Sequence, residues 1–244
     1  MSGYLEAIIA RKKDEVKDLQ QPKRLHEVLK AEHLTVIAEI KRKSPSKGSL
    51  APIADPVALA RQYIEAGAQA LSILTDEVGF GGSLADLQEI ANAFPAIPIL
   101  RKDFIVDIRQ IKQTARSGAT AVLLIVAALQ EKLPEFLEEA MRYQLDPVVE
   151  VHDLKELELA LKSGSTIIGV NNRNLSSFQV DLETSVQLSS RIPQNCIKVA
   201  ESGIRSSADA EKMRKAGFDA VLVGEALVTA QDPKKLIQEF GRCR

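Results

Sequence analysis

Short apolar runs rich in β-branched residues recur along the chain: TVIAEI, ALSIL, IPILRK, AVLLIV, PVVEV, TIIGVN, IKVAE and DAVLVG. Each is apolar at both odd and even positions, the pattern of a strand buried on both faces. Between them the spacing changes to that of amphipathic helices. In DPVALARQYIEAG, Val57, Leu59, Ala60, Tyr63 and Ile64 share one broad face. The same texture returns in SLADLQEIANAF, DIRQIKQTARSG, QEKLPEFLEEAMRY, DLKELELALKSG, DLETSVQLSSRI, SADAEKMRKAG and DPKKLIQEF. Strict strand–helix alternation predicts a parallel sheet sheathed by helices. Eight such units predict α/β architecture closed into a (β/α)8 TIM barrel rather than an open doubly wound sheet.

The expected organisation is a single domain over residues 1–244, with the barrel at 35–244 and an N-terminal helical extension at 1–34. In the extension Leu5, Ile8, Ile9, Val16 and Leu19 form an apolar stripe before Pro22, and RLHEVLK reads as a second short helix. Such a segment is expected to dock on the open N-terminal mouth of the barrel or on its side. Gly67, Gly118, Gly164 and Gly217 each stand between a helix and the next strand, the place of a left-handed helix cap. They recur once per two units, as a weak internal repeat or as ordinary caps.

Charges collect where the strands end. The first strand runs into Glu39 and Lys41 on the face that also carries Ile37. The third ends in Lys102, the fifth in Glu150, the sixth in Asn171 and Arg173, and the seventh in Glu201. The second ends in Thr75, Asp76 and Glu77. One charged strand end is an ordinary solvated side chain; a set converging from several strands suggests a polar substrate and acid–base chemistry. Ser202 and Gly203 after strand seven, with Gly224 and Glu225 opening a helix after strand eight, occupy the usual phosphate-binding position of such barrels. There only the backbone amide of Glu225 would serve. Residues 42–48, basic and rich in Ser, Pro and Gly, are expected to be a lid that is mobile when empty and ordered over a bound anion. GFGGS at 79–83 lacks nucleotide-binding spacing and reads as a flexible loop at the site. His152 reads as a loop residue before the N-cap Asp153, and His26 and His33 lack metal-ligand partners in sequence.

Composition narrows this further. Lys and Arg total 32 against 33 Asp and Glu, for a net charge of −1, so no broad basic field exists to hold nucleic acid or an anionic membrane. No run approaches the length of a membrane span, and no signal peptide opens the sequence. Two cysteines without metal spacing, Cys196 and Cys243, fit a reducing, cytoplasmic setting. No cofactor motif is present, and a monomer without metal is expected.

The stretches AEIKRKSPSKG, ALSILTDE, LRKDFIVD, VEVH, GVNNRNL, AESGI and VLVGEAL resemble, in order and spacing, the indole-3-glycerol-phosphate synthase family over nearly the whole chain. EIKRKSPS and KDFIVD together are the most specific part. The resemblance implies ring closure of 1-(2-carboxyphenylamino)-1-deoxyribulose 5-phosphate, with loss of CO2 and water, in tryptophan biosynthesis. It implies Lys102 as general acid, Glu150 as general base, and Lys41 at the anthranilate carboxylate with a share in proton transfer left open. Glu39, Asn171, Arg173 and Glu201 would orient these groups and the substrate hydroxyls. Ser202, Gly203, Gly224 and the Glu225 amide would hold the phosphate, Ser44 would touch substrate, and Phe104 would border the ring. The family often has two adjacent aromatics where this chain has Gly79 and Phe80. A phosphosugar isomerase or epimerase would share the phosphate end but leave Lys41, Lys102 and Glu150 unexplained. A non-catalytic barrel would leave the whole set of strand-end charges unexplained.

Overall fold

The computed structural model describes residues 2–17 and 23–243. Eight parallel strands close into a barrel: β1 (Thr35–Ile40), β2 (Ala70–Leu74), β3 (Ile99–Lys102), β4 (Ala121–Ile125), β5 (Asp146–Val151), β6 (Ile167–Asn171), β7 (Ile197–Glu201) and β8 (Ala220–Val223). Each strand pairs with its sequence neighbour, and β1 closes the ring on β8 through Thr35↔Ala220 to Ala38↔Val223. All eight predicted strands are present, within two residues of the expected ends.

Alternation splits the core in two. Outward residues such as Val36, Leu71, Val122 and Val149 pack under the helices. Inward residues, among them Ile37, Leu100, Leu123, Val148 and Val199, fill the barrel axis. The short helix Leu25–Leu29 seals the N-terminal end of that axis, inserting Leu25 and Leu29, both fully buried, into the inner cluster. Asp146, at the start of β5, holds it there. Its carboxylate accepts hydrogen bonds from Arg24 Nη2 (2.5 Å) and the His26 backbone (3.0 Å). Burial would raise the Asp146 pKa, but these donors, led by Arg24, bring it below the usual value.

The first helix, Ser2–Lys17, departs from expectation. Leu5 is 60% exposed and Ile9 44%, so these two residues of the stripe are not buried against the barrel. Leu19 and Pro22 lie outside the described residues, as does the side chain of Val16. Among the described residues no helix is long and apolar enough to cross a membrane.

The predicted glycine caps all have positive φ, from 85° to 107°. Residues 42–48 carry more internal order than their composition suggests: Lys43–Ser44 and Gly48–Ser49 pair as a two-stranded hairpin over the barrel mouth.

Candidate active site

At the C-terminal ends of the strands lies a cavity of about 370 Å³. Every residue singled out from sequence as catalytic or substrate-binding lines it: Glu39, Lys41, Ser44, Lys102, Phe104, Glu150, Asn171, Arg173, Glu201, Ser202, Gly203, Gly224 and Glu225. The strands deliver them because the last inward position of each reaches the same basin. Lys41 falls just beyond β1, yet its ammonium lies 3.4 Å from Glu39 Oε1.

The floor of the cavity is a buried cluster of charge. Lys102 Nζ donates to Glu150 Oε2 at 2.7 Å and lies 2.8 Å from Glu201 Oε2. Glu39, Glu150 and Glu201 are each at most 4% exposed. Burial alone would lower the Lys102 pKa; Glu150, Glu201 and Glu39 outweigh it and hold the ammonium above its ordinary range. One ammonium between two carboxylates cannot keep both ionised equally well. Burial pushes Glu201 up to about 7, with the Glu150 charge adding to it against the pull of Lys102. Burial also opposes ionisation of Glu150, but Lys102 and His152 prevail and hold it well below the usual carboxylate range. The pair is thereby pushed apart, one member ionised and the other poised to carry a proton.

Two inward glycines make room for these acids. A Cβ on Gly169, in β6, would overlap Glu201 Oε1, and one on Gly224 would overlap Glu39 Oε1. Gly224 therefore shapes the acid cluster as well as the end of β8. The wall opposite the acids is aromatic. Phe80 and Phe104 lie with ring centroids 6.2 Å apart, and Lys41 Nζ stands 5.2 Å from the Phe80 ring centre. Behind β3, buried Arg101 donates to Thr75 Oγ1 (3.0 Å) and Asp103 Oδ2 (2.8 Å), fixing the loop that follows Lys102.

At the other end of the cavity three cations converge on Glu225. Lys47 Nζ lies 2.7 Å from its carboxylate, Arg205 Nη2 3.5 Å and Arg173 Nη2 3.7 Å. They hold Glu225 below the usual carboxylate value against the burial that would raise it. Arg173 also donates to Ser46 Oγ at 3.2 Å, so the hairpin is tied across the mouth at two points. Ser44 Oγ accepts the Lys47 backbone N–H, a bond that shapes the hairpin itself. Ser202 and Gly203 both adopt left-handed backbone, with φ of 65° and 85°. For Ser202 that conformation is strained, and strain of this kind concentrates at functional sites. Buried Asn172 stitches the turn, donating to the carbonyls of Glu201 (3.0 Å) and Ser202 (3.1 Å).

The structure gives several residues read from sequence partners that the sequence did not show. Asp76, at the end of β2, lines the cavity and is also a cap: its carboxylate accepts from the backbone of Gly79 and Phe80, closing the one-turn helix Glu77–Phe80. In the glycine-rich stretch, Gly82 packs so closely on the backbone of Leu74 and Thr75 that a side chain would collide. His26 bonds Asp146 and His33 bonds Gln69. His152 lies in the loop before the N-cap Asp153, as read, with its ring wedged between Glu150 and Glu156. Lys47, Arg205, Asn172 and Gly169 were missed. Arg205 sits in the loop directly after strand seven, where a cation near a phosphate end was a readable signal.

Comparison with known proteins shows the family. The model of the family described as indole-3-glycerol phosphate synthase matches residues 5–240. A relative of that name from Parafrankia sp. (strain EAN1pec) is 47% identical over 236 residues, covering 96% of this chain and 88% of its own. One from Streptomyces griseus is 51% identical over 213 residues (87% and 79% covered), and one from Chlorobium chlorochromatii 44% over 254 residues (96% and 98%). Among solved structures, 3-hexulose-6-phosphate synthase from Salmonella typhimurium superposes with a TM-score of 0.68 at 12% identity, covering 86% of this chain and 98% of its own. Thiamine phosphate pyrophosphorylase from Pyrococcus furiosus gives 0.61 at 19% identity, with 85% and 93% covered. At such identities these two show the barrel alone.

Proposed function

Because the chain belongs to the indole-3-glycerol phosphate synthase family, we propose that it closes the indole ring of 1-(2-carboxyphenylamino)-1-deoxyribulose 5-phosphate, releasing CO2 and water as a carboxy-lyase of tryptophan biosynthesis. The observation that carries the assignment of roles is the Lys102 ammonium, held between Glu150 and Glu201 on the floor of the cavity. It is a desolvated acid with two alternative counter-ions, so it can turn to a substrate oxygen without stranding a lone charge.

The aromatic carbon bearing the carboxylate attacks the ketone carbon. Lys102 protonates the ketone oxygen as the new carbon–carbon bond forms, which prevents a bare alkoxide from developing in a dry site. The carboxylate then leaves as CO2, and its bonding electron pair restores the aromatic ring. Dehydration follows: the hydroxyl leaves with a proton from an acid of the cluster, and Glu150 takes the proton whose removal forms the ring double bond. Lys41 pairs with the substrate carboxylate until it departs, and Phe80 and Phe104 flank the anthranilate ring. Glu39, Glu201 and Asn171 orient the lysines and the sugar hydroxyls.

The phosphate lies at the opposite end, against Ser202, Gly203, Gly224 and the Glu225 amide. Arg173, Arg205 and Lys47 supply positive charge, and the Ser44 hairpin covers the substrate. Balanced charge and two free cysteines support a cytoplasmic setting without a nucleic-acid or membrane partner. Incubation of the purified chain with this substrate should give indole fluorescence and one CO2 per product. Tight binding without turnover would instead support a binding role.

A further inference from the structure

Beside the acid cluster the mechanism leaves a largely buried titratable group unused: His152, directly after β5, with its side chain 12% exposed. Its Nε2 faces Glu150 Oε1 at 3.3 Å, outside good hydrogen-bond alignment. Its Nδ1 lies 2.9 Å from Glu156 Oε2, the same oxygen that accepts the His152 backbone N–H at 2.7 Å. Glu156 is fixed in turn, because its own N–H caps onto Asp153 Oδ1 at 2.9 Å in the first turn of the helix Leu154–Lys162. An imidazole with a carboxylate at each nitrogen satisfies both only as the doubly protonated cation, since a carboxylate accepts and never donates.

We propose that His152 is a positioning residue that holds Glu150 as the ionised base of the cluster, and so leaves Glu201 as the member that carries a proton. This rests on the reading of Glu150 as the base. The two Glu150 oxygens have separate partners: Oε1 meets His152, Oε2 meets Lys102. When Lys102 turns to the substrate, Oε2 is released towards the reacting carbon. Without a second cation Glu150 would then face Glu201 on equal terms, and the pair would share a proton without preference. His152 breaks that symmetry, because it touches Glu150 alone.

The charged groups acting on His152 are few. Burial would lower its pKa, but Glu150 and Glu156 push it up to about 9. Lys102 and Glu201 reach it only through Glu150. The flanking strands β4 and β6 carry no ionisable residue, and neither does the one-turn helix Val126–Leu129 packed on β5. The helix Leu154–Lys162 packs on β5 too, but apart from Glu156 its charged residues Lys155, Glu158 and Lys162 are exposed, as is Asp153. The helix Leu133–Arg142 also packs on β5. Its Glu138 and Glu139 are engaged by Arg142, and its Glu135 is exposed.

The test is the pH dependence of kcat and KM in His152→Ala and His152→Gln, with melting curves to verify folding. In both variants the acidic limb of kcat should move up by about one unit or more, a loss of roughly tenfold on that limb. KM should stay within about threefold, and kcat above pH 9 should recover most of the way in His152→Gln, which keeps a donor without the charge. A uniform fall in kcat with an unmoved limb, or a KM that rises in step, would overturn the proposal. Glu150→Gln separates the two readings. If it retains near-normal turnover the base assignment itself fails; if it is inactive while the His152 variants keep the parent pH profile, only the role of His152 fails.

Discussion

Gly169 leaves the space that Glu201 fills. The two residues lie on neighbouring strands, Gly169 opposite Val199 and Glu201 opposite Asn171, and a Cβ on the glycine would overlap the carboxylate that Lys102 bridges. Gly169→Ala should therefore displace Glu201 by a fraction of its own length while leaving the barrel folded. A misplacement near 1 Å at a reacting centre costs about 10²-fold in rate. A kcat within about threefold of the parent in a protein of unchanged melting temperature would show that the position of Glu201 does not matter.

Replacing the acid tests the cluster more directly. Lys102→Met should lower turnover by about 10²–10⁴-fold, the usual worth of a positioned proton donor, with a smaller change in substrate affinity. It also leaves Glu150 and Glu201 facing each other without their shared cation. The variant should consequently take up a proton there and lose more stability at pH 8 than at pH 5, as read by thermal melts at both values. Equal losses at the two pH values would mean that the carboxylates find another partner.

The three cations gathered on Glu225 predict a competition. A substrate phosphate must draw Lys47, Arg173 and Arg205 away from that carboxylate. Glu225→Gln should free them, speed hydrogen exchange across residues 42–50 in the empty protein, and tighten binding of inorganic phosphate several-fold. The gain is modest because Lys47 and Arg205 are more than half exposed and solvent screens their pairs. Unchanged exchange would mean that the hairpin is held by its own bonds and by Arg173 to Ser46.

At the far end of the barrel, Asp146 makes stability depend on acid. Its pKa is lower folded than unfolded, so its contribution is present above the unfolded value near 4 and is lost as pH falls through the folded one. Asp146→Asn should lower the melting temperature at pH 7 by on the order of 2–4 °C for each kcal/mol lost, and by progressively less as the pH falls below about 4. A pH-independent difference would assign the effect to packing of the helix Leu25–Leu29.

How far these features were readable varies by residue, for physical reasons. The strands were legible because both faces are buried, and the charged ends because an ion such as Glu150 interrupts VVEV. Lys102 and Glu201 could be named individually, but their mutual bridge could not, since 99 positions separate them in sequence. The role of Gly169 was invisible for a related reason: a missing side chain signals nothing until the neighbour that needs the space is known. His152 was discounted as a loop residue although Glu156 stands four positions on, at helical spacing, and Glu150 two positions back on the same strand face. That triple was in plain view. The exposed stripe of Leu5 and Ile9 is the opposite case, where amphipathic spacing is present without burial.

The seam between β1 and β8 has a consequence for synthesis of the chain. On the ribosome β1 emerges early and waits, one edge unpaired, until residues 220–223 appear. The pocket for Glu39 is bounded by Gly224, so a nascent chain lacking β8 has most of the sheet but no finished acid cluster. Open edges invite aggregation, and a chain stopped at residue 219 should be insoluble or rapidly degraded. The same closure brings Leu34 N–H to within 3.1 Å of the Cys243 carbonyl. A circular permutant joined at these two points would discard the helix Leu25–Leu29 that seals the inner core, so it should melt well below the parent even though its seam is translated first.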